Sequence, residues 1–236
     1  MIFNIFQTTD DGMQYITGDP FSINDNSITQ IPSSAFIYMS NLTAITCPSC
    51  ISIGNSAFYR CSSLSQISFP VCTSIGANAF VYCASLTQAS FPSCTSIATS
   101  AFCSCSALSK ANFPSCTSIG YNAFYSCTAL AQISFPVCQS INYNAFVGCT
   151  ALTQASFPAC TFIDIEAFLA CTSLMSLYLL GSSIVALSST NAFKSTPIES
   201  DLYTGTYGSI YVPNDLSNAY RTATNWSAYA DRIVGI

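Results

Sequence analysis

Fourteen cysteines and no histidine define the side-chain chemistry open to this 236-residue chain. Without histidine, the commonest general base near neutral pH and the commonest metal ligand are both missing. Cys50, Cys72, Cys94, Cys116, Cys138 and Cys160 step by 22 residues, and so do Cys61, Cys83, Cys105, Cys127, Cys149 and Cys171. In a secreted chain so many cysteines imply a disulfide framework. A constant step points the other way. Equivalent residues on stacked copies have parallel Cα–Cβ bonds about 4.8 Å apart, which suits the Cα spacing of a disulfide but exceeds its usual Cβ separation of about 3.5–4.5 Å. The reading is two ladders of buried free thiols acting as small apolar side chains. Cys47-Pro48-Ser49-Cys50 has the spacing of a redox dithiol or half a zinc site. Yet Cys47 stands where Phe69 stands one copy later, so no metal or redox role is assigned. Asp164 and Glu166 lie two apart with nothing to position a substrate or share a proton, and they read as solvated charge. Asn41-Leu42-Thr43 and Asn225-Trp226-Ser227 match the glycosylation pattern by coincidence. No catalytic residue and no cofactor is expected, and the chain does not read as an enzyme.

What positions these residues is a repeat. Ala-Phe recurs at Ala35-Phe36, Ala57-Phe58, Ala79-Phe80, Ala101-Phe102, Ala123-Phe124, Ala145-Phe146 and Ala167-Phe168, always 22 apart, and again at Ala192-Phe193 after a slip of three. Proline from Pro48 to Pro158, leucine from Leu42 to Leu174 and isoleucine from Ile31 to Ile163 keep the same step. A period held this long describes a coil, because each copy must meet the same environment. Within one copy, Leu64, Ile67 and Phe69 point inward from a short strand and leave Gln66 and Ser68 outward. Pro70 cannot donate to a ladder and ends that strand. A second extended piece runs from Thr73 to Ile75, a turn at or near Gly76 follows, and Ala79, Phe80 and Cys83 fall at the spacing of a short helix.

Cys61-Ser62-Ser63-Leu64-Ser65-Gln66-Ile67-Ser68-Phe69-Pro70 and Thr117-Ser118-Ile119-Gly120-Tyr121-Asn122-Ala123-Phe124 resemble the BspA-like leucine-rich repeats, a class with units of about 23 residues. The resemblance covers about residues 28 to 193. It implies an α/β fold: a right-handed leucine-rich-repeat solenoid with a short strand, a second short strand and a short helix per 22-residue rung. The expected organisation is an N-terminal cap over 1–27, the solenoid over 28–193 and a C-terminal cap over 194–236. The family resemblance also implies adhesion or recognition at bacterial cell surfaces. High cysteine and scarce charge are departures from the family's usual sequence.

Charge narrows the partners further. The formal net charge is -5, the wrong sign for nucleic acid. Between Asn26 and Ile163 the charged side chains are Arg60 and Lys110 alone. No apolar run is long enough for a membrane span. No basic segment precedes Met1-Ile2-Phe3, and Asp10-Asp11 follows early, so no signal peptide is visible. Ile2 to Ile16 reads as a hairpin around Asp11-Gly12 that covers the first rung. At the other end, Gly208 to Pro213 reads as a final strand. Asn214 or Asp215 caps a helix with Leu216 and Tyr220, and Trp226, Tyr229, Ala230 and Ile233 form one face of a second helical segment.

The candidate ligand surface is the outward strip of strand positions: Gln66/Ser68, Gln88/Ser90, Lys110/Asn112, Gln132/Ser134, Gln154/Ser156 and Ser176/Tyr178. Its amides and hydroxyls suit sugar hydroxyls or a partner's backbone. A second row holds Thr73, Thr95, Thr117 and Thr161, interrupted by Ile51 and Gln139. Three functions follow in order: a secreted or cell-surface recognition module for a protein or glycan; a component of a phage tail or fibre, which would self-associate in a virion; and an ice-binding solenoid using the threonine row.

Overall fold

The computed structural model describes residues 19–199 and 206–236, so the expected hairpin over Ile2 to Ile16 lies outside the described residues. Ten short parallel strands form a first row: Phe21–Asn24, Leu42–Thr46, Gln66–Ser68, Gln88–Ser90, Lys110–Asn112, Gln132–Ser134, Gln154–Ser156, Ser176–Tyr178, Ser209–Val212 and Ile233–Gly235. A second row of two-residue strands runs from Gln30–Ile31 to Ala186–Leu187 as one eight-stranded sheet. Neighbours in the second row pair one repeat apart, Ser74 with Ser96 and Ile75 with Ile97. The fold is a parallel solenoid of about ten turns.

The third side of each rung corrects the expected short helix. Residues 77–82 and their equivalents are consecutive turns, except in the last rung, where Thr190–Phe193 is a single 3-10 turn. Alternate N–H groups leave the rung altogether. Phe58 N donates to Ala79 O, Phe80 N to Ala101 O, Phe102 N to Ala123 O and Phe124 N to Ala145 O, each at 2.8 Å. The intervening N–H groups close tight turns, as when Val81 N donates to Asn78 O. A helix needs every successive N–H for its own axis, and here half of them tie rung to rung. Two residues per turn segment also adopt the left-handed conformation, Asn78 and Tyr82 at φ 59° in one rung and Glu166 and Ala170 at φ 58° in another. Gly76 is not among them. Its lack of a side chain allows close approach, since a Cβ would lie 2.6 Å from Asn55 N.

Inside the coil, two phenylalanine columns interlock. Phe36, Phe58, Phe80, Phe102, Phe124, Phe146, Phe168 and Phe193 stack nearly parallel at 5.0–5.5 Å, and the Phe168–Phe193 contact shows that the three-residue slip leaves the column intact. Phe69, Phe91, Phe113, Phe135 and Phe157 form the other. Leu64, Ile75 and Phe80 are buried as expected, whereas Ile67 is only partly so.

The C-terminal segment extends the first row and packs on the last turns. Trp226 and Tyr229 lie against Phe193. Leu216 caps the helix Ser217–Thr222 without a side-chain hydrogen bond, so neither Asn214 nor Asp215 has the expected role. Ile233 belongs to a strand that pairs with Ser209–Val212, not to a helical face.

Two stability outcomes follow. Phe124→Ala removes a ring stacked on both neighbours and should cost about 3–5 kcal/mol in denaturant unfolding, and a loss below about 1 would mean the ring is not core. Ala170→Gly relieves a left-handed residue in the column where Gly148 already sits at φ 70°. It should stabilise the fold by about 0.5–1 kcal/mol after the glycine's larger unfolded-state entropy is counted. A destabilisation would show that the Ala170 methyl packs.

Candidate functional site

Strand alternation places the sequence-derived strip where it was expected. Gln66 and Ser68, Gln88 and Ser90, Lys110 and Asn112, and Gln132 and Ser134 are exposed, while Ser156, Ser176 and Tyr178 are half-buried beside exposed Gln154. The backbone brings these residues together in groups. Gln88 pairs with Lys110 and Ser90 with Asn112, and Asn112 Nδ2 donates to Ser90 Oγ at 3.1 Å. Gln132, Gln154 and Ser176 are in register, as are Ser134, Ser156 and Tyr178. Strand pairing lapses between Gln66–Ser68 and Gln88–Ser90 and between Lys110–Asn112 and Gln132–Ser134. The core records the same breaks. Phe69–Phe91 and Phe113–Phe135 stand 6.0 Å apart, against 5.5 Å for Phe91–Phe113 and 5.6 Å for Phe135–Phe157.

One residue of this surface escaped the sequence reading. Tyr211 is in register with Tyr178, and the two rings stack at 4.7 Å and 13°. The alternation in Ser209-Ile210-Tyr211-Val212 carries that signal. The strip therefore changes from amide and hydroxyl to aromatic toward its C-terminal end.

Hydrogen bonding distinguishes the strip from the other polar rows. Thr73 Oγ1 donates to Ile51 O, Thr117 Oγ1 to Thr95 O and Thr161 Oγ1 to Gln139 O at 3.0–3.1 Å. Ser65, Ser109 and Thr153 likewise donate to the preceding rung. These hydroxyls staple rungs together. Among the described residues, no hydrogen bond engages the side-chain amides of Gln66, Gln88, Gln132 or Gln154.

The thiols are also donors. Each member of the Cys61 series donates to the carbonyl of a phenylalanine 25 residues back, from Cys61 to Phe36 at 2.9 Å to Cys171 to Phe146 at 3.1 Å. Each member of the Cys50 series donates to the carbonyl two residues on at 3.1–3.3 Å. Burial pushes the Cys72 thiol up to about 12 and the Cys94 and Cys116 thiols up to about 11. Cys47 is raised to about 11, by burial first and then by Cys50. A thiolate nucleophile or ligand needs the opposite shift. Asp164 Oδ1 accepts from Ile165 N, and Glu166 sits on a left-handed backbone. The Asn225 amide donates to Leu187 O at 2.6 Å, so this glycosylation-pattern nitrogen is engaged.

Unfolded, a thiol ionises near 9.0, and in the fold these groups hold their protons to about 11 or 12. In that window the unfolded state binds fewer protons, so stability is intact below about pH 9 and falls as pH rises. Buried Tyr220 and Tyr229, also raised, act in the same direction at higher pH. Denaturant midpoints measured in steps from about pH 8 to about pH 11 should stay level and then drop steeply. A level curve throughout would mean that the columns are solvated.

Among the described residues no helix is long and apolar enough to cross a membrane. Comparison with curated proteins gives no match. Among solved structures, a Treponema pallidum leucine-rich repeat protein matches at 24% identity and TM-score 0.62, over 72% of this chain and 86% of its own. A leucine-rich repeat protein from Eubacterium ventriosum matches at 18% identity and TM-score 0.59, over 80% of this chain and 68% of its own. A leucine rich cell surface protein from Faecalibacterium prausnitzii matches at 18% identity and TM-score 0.33, over 95% of both chains. The model of the BspA type leucine rich repeat region matches in six copies over residues 20–125 and 95–212. With the 22-residue register, the stacked strand rows and that match in agreement, the chain belongs to the BspA-type leucine-rich repeat family.

Proposed function

We propose that the protein is a non-enzymatic recognition module, secreted or displayed at a cell surface, that binds a protein or glycan through the outward side chains of the first strand row. One observation carries this: the Gln66, Gln88, Gln132 and Gln154 amides are exposed and, among the described residues, unengaged, while the competing hydroxyl rows bind their own ladder. An amide offers both donors and an acceptor, which suits sugar hydroxyls and backbone amides alike. In this reading the coil is right-handed and residues 194–236 close its C-terminal end; most of the cap expected over 1–27 lies outside the described residues. The ice-binding alternative fits less well because the protons of Thr73, Thr117 and Thr161 already point at the preceding rung.

Gln88→Glu, Lys110→Glu and Gln132→Glu together place three negative side chains on successive rungs. Stability should shift by no more than about 0.5 kcal/mol per site, the usual range for surface positions. Binding to the ligand that wild type selects from a protein or glycan array should fall. Undiminished binding by the triple variant would move the site off the strip. Wild type that selects nothing and instead forms end-to-end oligomers would favour the fibre-component reading.

A further inference from the structure

The left-handed column of the turn row holds an arrangement that packing does not require. Its members are Tyr38, Arg60, Tyr82, Ser104, Ser126, Gly148, Ala170 and Ser195, all with φ between 56° and 70°. Gly148 is the residue such a backbone favours, and serine and alanine are small. Three successive rungs instead carry tyrosine, arginine and tyrosine. Their side chains do not fill the core: Tyr38 is 39% exposed, Tyr82 46%, and Arg60 is exposed too. A strained backbone that presents large side chains to solvent is a recurrent mark of a functional position.

The side chains form one cluster. The Arg60 guanidinium lies 5.0 Å from the ring centroid of Tyr82, 5.7 Å from Tyr59 and 6.0 Å from Tyr38. Tyr59 meets Tyr38 at 86° and Tyr82 at 89°. No Asp or Glu occurs between Asn26 and Ile163, and among the described residues no carboxylate pairs with Arg60. Among the described residues the guanidinium meets the three tyrosine rings, and no side-chain hydrogen bond takes up its N–H donors.

We propose that Tyr38, Tyr59, Arg60 and Tyr82 form a second interaction surface, on the turn row, that takes a partner polypeptide presenting an Asp or Glu carboxylate beside an apolar side chain. The charge complement is the carboxylate, which a guanidinium can bind through two parallel hydrogen bonds. The ring geometry selects the class of partner. Perpendicular rings give ridges and slots rather than the flat ring face on which a sugar lies, and tyrosine with arginine is the composition of energetic centres in protein interfaces. The cluster spans two rung steps, roughly 10 Å, about the reach of a few residues of an extended peptide.

The test uses the full chain and an array of short synthetic peptides, each with one Asp or Glu flanked by Leu, Phe or Pro, beside counterparts with Asn or Gln. A glycan array with uronate-bearing and neutral oligosaccharides runs in parallel. Wild type should bind acidic peptides in preference to their amide counterparts, more weakly at high salt. Arg60→Gln should weaken that binding about tenfold or more, and Tyr38→Ser with Tyr82→Ser should weaken it as well. These variants should melt with wild type, since Ser104 occupies the same column. The strip variant carrying Gln88→Glu, Lys110→Glu and Gln132→Glu should bind the peptides as wild type does, which separates this surface from the first. The proposal is overturned if no acidic peptide binds above its amide counterpart, if Arg60→Gln changes nothing, or if uronate oligosaccharides are bound in place of peptides.

Discussion

Everything in this fold depends on each rung's backbone being completed by its neighbours. Phe80 N finds Ala101 O on the next rung, and Gly76 N finds Ile53 O on the one before. A single 22-residue unit has neither a closed hydrogen-bond set nor a core, so stability is a property of the stack. The same constraint accounts for the scarcity of charge. A charged side chain at a repeated outward position would face its own copy about 4.8 Å away, and even in water two unit charges at that distance repel by about 1 kcal/mol. Along the first row the repeated positions are accordingly Gln and Ser, with Lys110 as a single cation between Gln88 and Gln132.

Stacking also gives the cysteines their logic. A column position admits a side chain no larger than the rung spacing allows, and a thiol meets that limit while donating to a backbone carbonyl, as Cys83 does to Phe58 O. The accepting carbonyl is shared: Phe36 O receives both Met39 N and the Cys61 thiol. Joining two column members as a disulfide would remove both S–H donors and pull together sulfurs that the parallel Cβ positions hold apart. The free thiols of the columns are in this sense part of the packing, and their raised proton affinity follows from burial.

Repeating features were legible in the sequence because periodicity averages away local ambiguity. Seven copies fix which of Leu64, Ile75 and Phe80 face inward and which of Gln66 and Ser68 face outward. The turn row was not legible, because Ala79, Phe80 and Cys83 satisfy helical spacing equally well, and only the distribution of N–H groups between rungs excludes the helix. Ile67 and Ala111 end up partly exposed at strands beside the breaks in first-row pairing. Such breaks depend on how two unlike rungs fit and leave no mark in a pattern of single positions. Residues 209–235 do not repeat at all, and there the sequence offered a helical face running to Ile233, where the chain makes a 3-10 helix over Trp226–Arg232 that buries Trp226 and Tyr229 and then the strand Ile233–Gly235. The Arg60 cluster was hidden for a related reason: Tyr38, Arg60 and Tyr82 share a column whose backbone is left-handed, and turn residues without glycine give no sequence sign of it.

The two strand rows end differently, and the difference explains the composition of the last segment. The first row continues past the repeat through Ser209–Val212 and Ile233–Gly235, so its edge groups are met by more backbone. The second row stops at Ala186–Leu187, and a further rung would be needed to satisfy it in kind. Side chains supply the missing partners. Trp226 Nε1 donates to Val185 O, Asn225 Nδ2 donates to Leu187 O, and the Tyr220 hydroxyl accepts from Val185 N and donates toward Ser183 O. The same Trp226, with Tyr229, lies against the final ring of the phenylalanine column at Phe193. Large residues with one polar atom are what this junction demands, since they must bury an apolar ring and meet a backbone edge at once. At the eighth second-row strand, Tyr220, Asn225 and Trp226 thus make with their side chains the hydrogen bonds that the backbone of a neighbouring rung makes elsewhere in the row.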